Sequence, residues 1–397
     1  MRRSSSQFPV VFLTGPRQTG KTTLLRHLAG SERRYATLDD PAVRELARRD
    51  PRLFFQRFPP PVLLDEVQYA PELLEIIKLL ADEGAPAGSF WLTGSQHFQS
   101  MRGVSETLAG RVALLRLLGF SWRETWQAGT DTEPFLPTPT RIAERGLAAP
   151  PFDLGSLAEA VWTGGYPRLN TDDPPDREVF FSSYVQTWLQ RDVRDLLRIG
   201  ELGRFDRFVR VCAARTGQLL NLSNLARDAD ISVPTAKSWL SVLQATMVVH
   251  LLPAWHSNRT KRLVKAPKLY FLDTGLACFL GGWSTPTSAL EGAAAGALVE
   301  TWALGEILKS WWAHGIDPAL HHLRTDDGTE IDFVLEHDGQ VHGIEVKRAA
   351  TARHDWLRPF AALERASAKT GPHAVLSLVP DELPLSDRIT AIPFGAL

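Results

Sequence analysis

The 397-residue sequence predicts an α/β protein in three parts: a parallel sheet wound by helices, a mainly helical middle, and a small α/β unit at the end. Three observations carry that reading. An apolar run, Val10–Leu13, feeds a glycine-bracketed loop and then an amphipathic helix. Helical periodicity dominates the stretch from residue 156 to 243. A hairpin of alternating apolar and charged residues, from Thr329 to Lys347, marks a second sheet.

In the first part, Gly15-Pro16-Arg17-Gln18-Thr19-Gly20-Lys21-Thr22 follows a strand and opens a helix, which is the context a phosphate-binding loop requires. The glycines let backbone N–H groups converge on β- and γ-phosphates, and the helix adds its positive dipole end. Lys21 brings a point charge, Thr22 is the expected Mg²⁺ ligand, and Thr23 completes the expected ATP contacts.

Pro61-Val62-Leu63-Leu64-Asp65-Glu66 is an apolar strand that ends in two acids, as a buried parallel strand does where it reaches a metal–phosphate site. Asp65 is the expected Mg²⁺ holder, and Glu66 the group that polarises the attacking water. Phe90–Ser95 is a third strand, expected between the other two. Ser95 or Thr93 suits a γ-phosphate sensor, Gln96 suits it less, and a plain polar strand exit is the competing reading. Asp39-Asp40-Pro41 is read first as a helix cap and second as a metal contact. Arg111 precedes a fourth apolar strand; it is either a surface arginine or one that reaches a neighbouring subunit's γ-phosphate, which makes a homo-oligomer an expected partner.

Residues 128–203 read as a linker and helices, with charged Arg191, Asp192 and Arg194 on a solvated or subunit-facing side. Over 204–285, Leu222–Ala229, a turn, and Val233–Leu243 have helix-turn-helix spacing, and two strands follow, which makes a winged helix. Eleven Lys/Arg against four acids over 201–270 leave an excess of seven, with His256, Arg259, Lys261, Arg262, Lys265 and Lys268 on the wing. That charge suits DNA, while docking of protein, or a lid role, is the alternative.

In 286–397, Asp332 and Glu345-x-Lys347 on neighbouring strands resemble the arrangement of PD-(D/E)xK nucleases. The two carboxylates would hold a second Mg²⁺ or Mn²⁺, Lys347 would position or deprotonate a water, and Glu300 or Glu306 would complete the shell. The competing reading is a decayed nuclease fold used for binding. The histidines show no zinc spacing.

Composition bounds the rest. Hydrophobic residues make 44% and charged residues 22% of the chain, enough for cores without disulfides, and the net charge of -1 gives no global pull toward nucleic acid. Cys212 and Cys278 are far apart and are read as reduced core thiols of a cytoplasmic protein. No apolar run has the length of a membrane span, and the start MRRSSSQF lacks the apolar core of a signal peptide.

Taken together, these landmarks resemble a prokaryotic family of AAA-type P-loop ATPases that open with T-G-P-R-Q-x-G-K-T-T-L and end in a restriction-endonuclease-like fold. The resemblance spans nearly the whole chain, from Leu13–Leu25 through Leu64–Gln68 to Glu345–Lys347. It implies ATP binding and hydrolysis and supplies no pathway. One departure is the short Met1–Gln7 before the first strand, where such proteins usually carry a helix that forms part of the adenine pocket.

Overall fold

A computed structural model describes residues 1–95, 107–128, 132–146, 152–189, 202–258, 262, 265–325, 327–367 and 369–397. The chain divides into two compact units, one of Met1–Leu118 with Ala245–Met247, the other of Gly119–Gln244 with Val248–Leu397.

The first unit is a five-stranded parallel sheet. Its strands are β1 (Val10–Gly15), β2 (Arg34–Thr37), β3 (Val62–Asp65), β4 (Phe90–Ser95) and β5 (Val112–Arg116), in the order β2-β3-β4-β1-β5. As the sequence predicts, β4 lies between the two strands that carry the loop and the acids. β1 is buried along its whole length, which is why it reads as an unbroken apolar run and not as an alternation. Its two faces still divide the work. Val10 and Phe12 join Leu64, Leu92, Phe54, Leu73 and Ile77 in one core. Val11 and Leu13 join Leu25, Leu63 and Trp91 in the other. Helix α1 (Lys21–Ala29) supplies Leu25 to the second core, while α2 (Pro41–Arg49) and α3 (Glu72–Asp82) cover the first. Asp40 caps α2 by accepting from the amides of Ala42 and Val43, so the capping reading holds there.

In the second unit, short helices at Trp122–Thr125 and Pro139–Gly146 precede α4 (Leu154–Thr163) and α5 (Arg177–Trp188). Next come α6 (Leu202–Ala213), β6 (Gln218–Leu219), α7 (Leu222–Ala229), α8 (Val233–Ala245), β7 (Val249–Leu252) and β8 (Lys268–Phe271). The three short strands form an antiparallel sheet in the order β6-β8-β7. On α8, Ala236, Trp239, Leu240 and Leu243 are buried, and Lys237, Ser238 and Ser241 are exposed. Asn221 caps α7, and Asp230 closes it in the left-handed region at φ 57.

After α9 (Thr274–Gly281), α10 (Ala295–Trp312) is buried on nearly every side, consistent with a sequence too apolar to show a clear polar face. A six-stranded sheet follows: β9 (Ala319–Arg324), β10 (Glu330–His337), β11 (Gln340–Val346), β12 (His373–Ser377), β13 (Leu383–Pro384) and β14 (Ile389–Pro393), with α11 (Arg358–Ala366) between β11 and β12. β9, β10 and β11 form an antiparallel meander, and β11, β12 and β14 run parallel. Both cysteines are buried thiols. Among the described residues no helix is long and apolar enough to cross a membrane.

Candidate functional site

Every strand of the first sheet points the same way, so the loop after β1 and the acids at the end of β3 meet at one edge. Gly15 must be glycine, because a Cβ there would come within 2.0 Å of the Leu117 carbonyl oxygen. Gln18 and Gly20 take left-handed backbone at φ 59 and 85, which curls the loop. Thr19 Oγ1 donates to the Pro16 carbonyl at 2.9 Å and braces the loop internally. Lys21 is buried, and its Nζ donates to the carbonyls of Gly15 and Pro16 at 2.9 and 2.6 Å. Arg17 is partly exposed and Thr23 exposed at the rim.

Asp65 is the hub. Its Oδ1 accepts from Thr22 Oγ1 at 2.8 Å and from Thr93 Oγ1 at 3.2 Å, and its Oδ2 accepts from the Tyr35 hydroxyl at 3.0 Å. Tyr35 was not singled out in the sequence; its place opposite the strand that carries Asp65 comes from β2–β3 pairing. Burial first, and then the Asp65 charge, raise the Tyr35 phenol, so it stays a donor. Arg26 lies over the Tyr35 ring at 4.9 Å. Thr93, one of the two sensor candidates, thus faces the Asp65 carboxylate. Ser95 ends β4, and its side chain and all of Gln96 lie outside the described residues.

Glu66 leaves the strand in the left-handed region at φ 58, a conformation that costs a non-glycine residue about 1 kcal/mol. The turn swings its carboxylate away from Asp65 to accept from Gln68 Nε2. Gln68 in turn lies against Gly94, where an added Cβ would come within 2.6 Å of Gln68 Oε1. Arg111 is at the opposite end of the sheet, since Val112 pairs with Val10 and Arg116 with Thr14. It forms an ion pair with Asp82 and donates to the Ala109 carbonyl at 2.9 Å. From there it is remote from its own chain's phosphate loop.

In the second unit, Phe333 pairs with Ile344, which brings Asp332 and Glu345 to adjacent strands, and a register shift between Ile331 and Val334 falls at the aspartate. Asp332 Oδ2 accepts from the Val346 amide at 2.9 Å. Glu345 is buried, Lys347 Nζ reaches its Oε2, and its Oε1 has no hydrogen-bond partner. Burial, and then the Asp332 charge, push the Glu345 carboxyl up to about 8. Glu300 of α10 is pushed up to about 7 by burial and by Asp332. Glu306 is elsewhere: it accepts from the Trp122 amide and pairs with Lys309. Among the described residues no group of three His, Cys, Asp or Glu is arranged to hold a metal ion.

Two residues expected on a basic wing are spent internally. Lys268 is buried, with Nζ 2.9 Å from Glu300 Oε1 and 3.5 Å from Glu330 Oε1. Arg262 donates to Glu336 and lies over Trp255. Arg259 and Lys261, like Arg191, Asp192 and Arg194, lie outside the described residues.

Comparison with known proteins gives the family. Residues 7–126 match the family described as AAA domain. Residues 154–287 and 295–397 match two families described as domains of unknown function, DUF8612 and DUF4143. The uncharacterized protein Rv2008c of Mycobacterium tuberculosis is 30% identical over 396 residues, 99% of this chain and 82% of that protein. The chain belongs to the same family as that protein. The uncharacterized protein Mb2031c of Mycobacterium bovis aligns to the same extent, 30% identical over 99% of this chain and 82% of its own length. A solved structure of the Thermotoga maritima RuvB Holliday junction branch migration motor aligns at 19% identity and a TM-score of 0.28 over 61% of this chain and 82% of that one, a likeness too slight to argue from. The first unit of this family member is thus an AAA-type P-loop ATPase domain.

Proposed function

We propose that the chain is a cytoplasmic Mg²⁺-dependent ATPase that couples ATP hydrolysis to a DNA-associated task. The observation that carries the hydrolytic part is the convergence of Thr22 Oγ1 on Asp65 Oδ1 at 2.8 Å beside the Lys21 ammonium. Two hard oxygens at that distance from one another suit Mg²⁺, so Thr22 and Asp65 would hold it, and it would supply charge neutralisation on the phosphates. Residues 15–23 bind the phosphates through backbone amides and Lys21. Glu66 orients the attacking water and draws off its proton, after leaving the Gln68 amide that holds it at rest. Ser95 senses the γ-phosphate, and Arg111 serves a neighbouring copy in a homo-oligomer once it parts from Asp82.

For the remaining chain we read 128–203 as a connecting helical region, 204–285 as a winged helix and 286–397 as a PD-(D/E)xK nuclease-like domain. The interleaving of α6, α7 and α8 with a small antiparallel sheet supports the winged-helix reading. The succession of α10, the β9–β10–β11 meander, α11 and parallel β12 supports the nuclease-like reading. Exposed Arg204, Arg207, Arg210 and Lys237 offer phosphate contacts. Asp332 and Glu345 fit a divalent cation, because an unpartnered buried carboxylate oxygen lacks compensation that such an ion would give. Lys347 would then position a water at the scissile phosphate. A second reading, a switch whose second unit docks protein, draws on the internal pairing of Lys268 and Arg262, which trims the basic wing.

ATP turnover measured with and without duplex DNA, across a salt series, tests the proposal. Stimulation that falls steeply with salt is expected; turnover indifferent to DNA at every salt concentration moves the assignment to the protein-docking switch.

A further inference from the structure

The acidic pair on β10 and β11 does not stand alone. With Glu300 of α10, Lys268 of β8 and Lys347 they make a group of three carboxylates and two ammonium groups, in which Glu345 and Lys268 are buried and Glu300, Asp332 and Lys347 half-buried. Lys268 comes from the three-stranded sheet, and the acids come from the six-stranded sheet and α10. Its Nζ is 2.9 Å from Glu300 Oε1 and 3.5 Å from Glu330 Oε1, and the Tyr270 hydroxyl donates to the same Glu300 oxygen. Lys347 answers Glu345, and Asp332 has one oxygen on the Val346 amide. Glu345 Oε1, buried beside Asp332, is the unsatisfied acceptor of the group.

Burial raises the Asp332 carboxyl, and Lys268 and then Lys347 oppose that rise. Lys268 Nζ also reaches Glu330, two residues before Asp332 on β10, so its ammonium lies at the end of the strand that carries Asp332. A fixed ammonium at this place does what a bound cation would do: it neutralises carboxylates that are largely withdrawn from water. It also repels a second cation, and in a buried setting that repulsion is not screened away by salt.

We propose that Lys268 is a built-in competitor for a divalent cation at Asp332 and Glu345, so that its fixed ammonium sets the affinity of that site. The inference rests on the reading of Asp332 and Glu345 as metal ligands. With Lys268 docked on Glu300, the third carboxylate is occupied and the site binds cation weakly.

The experiment titrates Mn²⁺ calorimetrically into the full chain without nucleotide, in an Asp65→Asn background that removes the cation ligand of the phosphate loop. Lys268→Gln is expected to tighten Mn²⁺ about tenfold, the order that removal of one nearby charge in a partly buried setting produces. Glu300→Gln is expected to weaken it, because one carboxylate is lost and Lys268 then turns to Asp332. Lys268→Arg keeps the charge and should stay near the parent affinity. A purely structural lysine cannot move the two substitutions in opposite directions. Parent-like or weaker binding by a folded Lys268→Gln protein overturns the role of Lys268 alone. Absence of Mn²⁺ binding in the parent and in every variant overturns the metal-site reading, and the inference with it. Should Lys268→Gln fail to fold, Glu300→Gln decides, and an affinity at or above the parent's sinks the proposal.

Discussion

The Tyr35 hydroxyl donates to Asp65 Oδ2 at 3.0 Å, so the carboxylate at the end of β3 is oriented from the edge strand as well as from the phosphate loop. Tyr35→Phe removes one hydrogen bond to a buried acid, worth about 1 kcal/mol or somewhat more because the acceptor is charged. ATP turnover should fall roughly fivefold at limiting Mg²⁺ and recover part of that loss when Mg²⁺ is raised. A Mg²⁺ dependence superimposable on the parent's would show that the tyrosine does not position Asp65.

Lys21→Ala should abolish tight ATP binding, since the phosphates lose their point charge. Glu66→Gln should retain binding and lose turnover, because only the activation of water is removed. Single-turnover hydrolysis at the parent rate in the Glu66→Gln protein would remove Glu66 from the mechanism.

Arg111 pairs with Asp82 at the end of the sheet far from its own phosphate loop, so it acts on a neighbour or not at all. Specific ATPase activity should rise with protein concentration, and Arg111→Ala should lose turnover while still binding ATP. Activity independent of dilution, with a monomeric ATP-bound species, excludes the intersubunit role.

Gly15→Ala would force a Cβ to within 2.0 Å of a backbone carbonyl, which no side-chain rotation relieves. A loss of about 3 kcal/mol in unfolding free energy is expected. Denaturation curves that match the parent's would mean the strand has room to shift.

His373 is fully buried against Phe360, accepts from the Gly343 amide at Nδ1, and is held by burial down to about 4. Because the unfolded chain binds a proton near 6.5 and the folded one does not, this histidine's contribution is complete above 6.5 and is lost as the pH falls toward 4. His322, lowered to about 4 for the same reason, adds to that acid limb. His373→Gln should flatten the fall in melting temperature between those values; an unchanged slope would show that the histidine is protonated in the folded protein.

The first unit, and most of the residues that its candidate site brings together, were legible in the sequence. A phosphate loop is local: the spacing of Gly15, Gly20 and Lys21 along one turn prescribes the geometry that 2.9 and 2.6 Å contacts then display. The apolar runs of β1 and β3 likewise report burial on both faces, and from that a parallel sheet follows. Only the tertiary structure decided which partners cross from one strand to the next. Tyr35 meets Asp65 because β2 pairs with β3 in one register, and a shift of one residue would turn the tyrosine to the other face. Lys268, counted from sequence as a surface charge, is buried because β8 faces α10, where Glu300 answers it. Charge in a sequence records only what a residue carries. Whether that charge meets solvent or an opposite charge depends on strand pairing between segments far apart in the chain, and no local pattern encodes it.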